Sequence, residues 1–87
     1  MGNFAGGSAY AMGQQIADGY VLVTERTFRR MQAGELNTLL FEIEKLLRNI
    51  RAEPQPEDVQ ELQKRNRRLM RLSQCRQMIQ SYRMKRR

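Results

Sequence analysis

Eighty-seven residues allow one small domain with a small core. Sixteen Lys and Arg against nine Asp and Glu give a net charge of +7 and a pI near 10.5. That balance points to an anionic partner: nucleic acid, an acidic protein face or an anionic membrane surface. One cysteine, Cys75, and no histidine exclude an intrachain disulfide, a usual one-chain zinc site and Ser/His or Cys/His nucleophile pairs.

The chain therefore reads as a non-enzymatic, cytoplasmic protein without cofactor or metal. No apolar run approaches the ~20 residues that span a bilayer, so integral membrane association is not expected. The first residues lack the basic and apolar regions of a secretory signal. Gly6 stands where a myristoylation signal requires Ser or Thr.

Residues 1–19 hold five of the six glycines and no Lys or Arg. This composition predicts a flexible Gly-rich tail, with Phe4, Tyr10, Met12 and Ile16 able to dock elsewhere. Residues 20–87 read as the folded domain. Tyr20-Val21-Leu22-Val23, after the turn signal Asp18-Gly19, is the only β-like run. The chain offers it no partner strand. It is expected to lie extended along a helix pair, the alternative being pairing with a twofold mate. Charged and polar side chains do not alternate along it, as a DNA-reading ribbon would require.

Thr24 is a fair N-cap, with Glu25 in the first turn. A first helix is predicted over about 24–52. Its opening segment, Glu25–Ala33, carries Phe28 and Met31, and Gly34 is a place to kink. From there Leu36, Leu39, Leu40, Ile43, Leu46, Leu47 and Ile50 make an apolar stripe over two heptads. Phe41 falls on the polar side and is a candidate partner contact.

Pro54-Gln55-Pro56 ends this helix, because the residue before each proline is pushed out of α geometry. A second, basic helix is predicted over about 57–86. Its length, about 46 Å for residues 57–87 at 1.5 Å per residue, is matched only if the first helix runs on through Gly34. Val59, Leu62 and Leu69, with Met70, form one apolar stripe, interrupted by Asn66 and Ser73. This stripe is expected to pack on Leu36–Ile50, with Asn66 able to fix register. Leu72, Cys75, Ile79 and Tyr82 form a second, rotated stripe, expected to meet the 20–31 region or another protomer.

The fold class that follows is all-α: a long, coiled-coil-like antiparallel helical hairpin behind a flexible tail. Two helices bury at most about a dozen apolar side chains, a balance near zero against entropy. Dimerisation into a helical bundle is therefore expected.

Function is expected where the charge lies. Residues 57–87 carry ten basic and three acidic side chains, whereas residues 1–56 balance six against six. Lys64, Arg67, Arg68 and Arg71 fall on one ridge at spacings of 3, 1 and 3. Arg65, Arg76 and Arg83 form a second line, and Lys85, Arg86 and Arg87 close the chain. Thirteen of the sixteen cations are Arg, which suits bidentate phosphate contacts.

The leading expectation is phosphate-backbone binding of nucleic acid with low sequence specificity. It would use Lys64, Arg67, Arg68, Arg71, Arg76, Arg83, Lys85, Arg86 and Arg87. No zinc-finger, RNP or homeodomain signature appears, and Tyr82 is the only aromatic in the basic region. The alternative is an adaptor or regulatory module for an acidic protein, touched by Phe41, Met78 and Tyr82. A membrane-surface helix fits less well, because there is no Trp and Asn66, Ser73 and Arg76 interrupt the apolar face.

Overall fold

The computed structural model of the chain describes residues 4–85, and among them every regular element is helical. A 3-10 turn at Ala5–Gly7 leads into α1 (Ala9–Ala17). The remaining helices are α2 (Glu25–Arg29), α3 (Ala33–Ala52) and α4 (Val59–Lys85).

The first of these helices lies inside the segment expected as a flexible tail. Ser8 caps it, its Oγ accepting from the Ala11 N–H at 3.1 Å. Ala9, Met12, Gly13, Ile16 and Ala17 are buried, a helical spacing of 3, 1, 3, 1 that lays one face of α1 against α3 and α4. Gly13 lies on that face because the contact is close. A Cβ there would stand 3.0 Å from Leu46 Cδ1. Its glycine serves approach between helices rather than flexibility.

The predicted helix 24–52 is two helices. It breaks at Arg30–Gln32, two residues before Gly34, and Gly34 sits in the first turn of α3 with open space around it. The break has a physical reason. Phe28 and Met31 are both buried, and the turn lets both reach the core. The new helix is started by the Gln32 N–H, which donates to Glu35 Oε1 at 2.9 Å. The Thr24 N–H donates likewise to Thr27 Oγ1 at 3.2 Å at the start of α2.

Helix α3 buries Leu36, Leu39, Ile43, Leu46, Leu47 and Ile50, with Leu40 packed against the same core. Beyond the two prolines, Asp58 caps α4: the Glu61 N–H donates to its Oδ2 at 3.2 Å. The helix thus begins at Val59, with Asp58 outside its first turn.

The core-facing side of α4 is the second stripe. Leu72, Cys75, Ile79 and Tyr82 are buried, and no polar or charged residue is buried among the described residues. The first stripe lies at the periphery. Val59 is 65% exposed, Leu62 and Leu69 are half-buried, and Asn66 faces solvent. The stretch of α4 beyond Arg71 is therefore covered by α1 and α2 as well as α3, and no single long first helix is needed. Phe28 of α2 meets Tyr82 with ring centroids 5.7 Å apart and planes at 50°. Such a tilted pair adds about 0.5–1.5 kcal/mol beyond the area it buries.

Between α1 and α2, residues 21–24 form no regular element, with Val21 and Val23 packed on the core and Leu22 turned outward. The molecule measures 43 × 25 × 19 Å. Its long axis is set by the 27 residues of α4, about 40 Å at 1.5 Å each.

Candidate functional site

The ridge Lys64, Arg67, Arg68 and Arg71 lines one wall of a cleft of about 440 Å³, whose other wall is Asp18 and Tyr20. The opposite wall comes from the way α1 ends. The Gly19 N–H donates to the Ile16 carbonyl at 3.1 Å, and the Tyr20 N–H donates to the Gln15 carbonyl at 2.9 Å. These two bonds are a Schellman motif, which needs a left-handed residue after the helix. Gly19 supplies it with φ of 83°.

Arg71 completes the helix end. Its Nη1 donates to the Ala17 carbonyl at 3.0 Å, satisfying an acceptor at the negative end of α1. A Cβ on Gly19 would sit 2.9 Å from the Arg71 Cζ, so the turn and the guanidinium are packed face to face.

Arg68 is held from the same side. Its Nη2 donates to Gln14 Oε1 at 3.3 Å, and Gln14 Nε2 in turn donates to the Tyr10 hydroxyl at 3.2 Å. Arg68 Nε stands 3.4 Å from Asp18 Oδ1, an ion pair without hydrogen-bond alignment. Two of the four ridge cations are thus oriented by α1 rather than free to swing. Lys64 pairs with Glu61 at 3.5 Å on the exposed surface, a contact worth under about 1 kcal/mol. Arg67 is exposed and makes no hydrogen bond or ion pair among the described residues. The cleft therefore presents four cations against one carboxylate, Asp18, and that imbalance makes it attractive to anions.

The other cations expected at a binding face are dispersed. Arg65 Nη2 donates to the Ile50 carbonyl at 3.4 Å, and Arg76 Nε stands 3.4 Å from Glu44 Oε2, so both tie α4 to α3. Arg83 is exposed beside Leu36 and Asn37, and Lys85 pairs with Glu25 at 3.5 Å. Arg86 and Arg87 lie outside the described residues.

Among the expected partner contacts, Phe41 is exposed, Met78 is half-buried against the core, and Tyr82 is buried with its ring against Phe28. Tyr82 therefore offers no face for a base. The aromatic at the cleft is Tyr20, 81% exposed. Sequence reasoning placed it in an apolar run, and the only signal of its role was the preceding Asp18-Gly19.

Two further cavities continue from this cleft along α4. A trough of about 200 Å³ is lined by Val21, Leu22, Val23, Arg71, Cys75 and Met78 among others. A hollow of about 450 Å³ follows between Phe28, Met78, Ser81 and Lys85. Cys75 forms part of the trough's floor but is buried, and burial pushes its thiol from 9.0 to about 12. It is thus a packing residue rather than a nucleophile.

Among the described residues no cluster of three or more His, Cys, Asp or Glu is placed to hold a metal ion. No described helix is long and apolar enough to cross a membrane. No protein-family model, curated protein or solved structure matches the chain, so the chemistry of the cleft carries the functional reading.

Proposed function

We propose that this chain is a non-enzymatic nucleic-acid-binding protein. It grips phosphates at the cleft formed by Lys64, Arg67, Arg68 and Arg71, without reading base sequence. The observation that carries this is the cleft itself: four cations gathered on one wall, two of them pre-oriented by α1, facing a single carboxylate.

A guanidinium has five N–H donors, and Arg71 uses only Nη1 on the Ala17 carbonyl. Further donors remain for phosphate oxygens. From residue 64 to residue 71 the ridge rises about 10 Å.

An antiparallel α3–α4 pair belongs to this reading, supported by Arg65 at Ile50, Arg76 at Glu44 and Arg83 beside Leu36.

Salt-titrated binding to a short oligonucleotide tests the proposal. A log–log salt slope of about −2 to −3 is expected, made shallower by Lys64→Gln with Arg67→Gln, which neutralise the two cations not held by α1. Asp18→Asn removes the opposing carboxylate and is expected to tighten binding severalfold. An unchanged slope in the double variant, or no binding at low ionic strength, would sink the proposal.

One observation favours a second reading, an acidic protein partner. The basic cleft runs directly into the apolar trough at Leu22 and Met78, and Leu22 is 88% exposed. An extended peptide with acidic and then apolar residues would fit that order. Nuclease treatment distinguishes the two, since a protein complex survives it.

A further inference from the structure

Tyr20 is held out beside the cations by a rigid turn. Its neighbour Gly19 donates one of the two Schellman bonds, and its own N–H donates the other. The ring is 81% exposed, and its hydroxyl has no hydrogen-bond partner among the described residues.

The chain has three Phe and three Tyr, and the others at known positions are engaged or lie elsewhere. Phe28 and Tyr82 pair in the core, Phe4 packs against it, and Tyr10, 57% exposed, accepts from Gln14 and is not one of the residues that line the cleft. Phe41 is exposed on α3, away from the residues that line the cleft. Tyr20 alone stands at the cleft, on the wall opposite Arg67 and Arg71.

We propose that Tyr20 is a stacking platform for an unpaired base, so that the nucleic acid held in this cleft is single-stranded. The inference rests on the phosphate-binding reading of the cleft. In a duplex the base faces are covered by their neighbours. Only an unpaired strand can lay its phosphates along Lys64–Arg71 and turn a base face onto a ring across the cleft. Stacking is indifferent to base identity, which agrees with the low sequence specificity proposed for the cleft.

The chain contains no Trp, so Tyr20→Trp gives a unique fluorophore at the site. Single strands of about ten nucleotides, deoxyribo and ribo, and a duplex of the same length are titrated at low salt. The expected result is quenching of the Trp by single strands but not by duplex. Tyr20→Ala is expected to weaken single-strand binding about tenfold, the order of one base–aromatic stack. It leaves duplex binding unchanged, and Tyr20→Phe retains wild-type affinity.

Because the ring is exposed, Tyr20→Ala is expected to melt as wild type, so the comparison does not depend on folding. The deoxyribo and ribo arms identify which polymer is held, the stack being expected with either. Equal affinity for duplex and single strand, unmoved by Tyr20→Ala, overturns the stacking role while leaving the phosphate cleft standing. Absence of binding in every arm overturns both.

Discussion

Arg71 and Cys75, four residues apart on α4, show how position decides what a side chain does. Arg71 reaches out of the core to the Ala17 carbonyl and lines the cleft, while Cys75 points inward and is shut off from water. Burial raises the Cys75 thiol from 9.0 to about 12, so the folded chain keeps a proton that the unfolded chain has released. The sign follows directly. The contribution to stability is whole below pH 9 and is lost as pH rises from there to the folded value near 12. The urea midpoint is therefore expected to fall across that window. Cys75→Ala, starting about 1 kcal/mol lower from the lost packing, is expected to fall less steeply; parallel slopes would refute the assignment. The basic ridge was legible in the sequence because spacings of 3, 1 and 3 put four cations on one helical face whatever the fold. Asp18 and Tyr20 were not legible as its opposite wall, since they lie about fifty residues away and only tertiary packing brings them across.

Among the elements, α1 and α3 are instructive opposites. Seven large aliphatic side chains at helical spacing mark α3, and the pattern admits one interpretation. In α1 the same spacing is carried by Ala9, Met12, Gly13, Ile16 and Ala17, where small residues hide the stripe within a Gly-rich composition. Glycine was read as freedom, but at Gly13 it permits contact with Leu46, and at Gly19 it closes the helix. The break before α3 was misplaced for a related reason. Gly34 is the weak helix former, but the turn falls at Arg30–Gln32, where burying both Phe28 and Met31 outweighs local propensity. Ile16→Ala tests the place of α1 directly. A docked α1 predicts a loss of about 2–5 kcal/mol in urea unfolding. That is a large share of the 5–15 kcal/mol typical of a whole domain. A loss below about 0.5 kcal/mol would mean that residues 9–17 behave as a tail.

At the scale of the whole molecule, α4 is the axis to which the other three helices are attached. The expectation of a dimer rested on a two-helix core too small to stand alone. The described residues instead bury apolar side chains from all four helices around one centre, including Met12, Ile16, Phe28, Leu39, Ile43, Leu72 and Ile79. The dimer expectation is tested by light scattering at micromolar concentration, where a mass near 10.3 kDa would refute it. A mass twice that value would show that the exposed Val59, Met70 and Phe41 serve a second copy after all.

The hydrogen bond from Arg71 to the Ala17 carbonyl joins residues 54 positions apart, and so does that from Arg68 to Gln14. On a ribosome these partners emerge in strict order, α1 first and α4 last. Until residue 71 has left the exit tunnel, α1 has no α4 to lie on and its carbonyl end no guanidinium to cap it. The cleft is thus assembled only after most of the chain has been made, and a nascent fragment ending in the Pro54-Gln55-Pro56 turn carries none of its cationic wall.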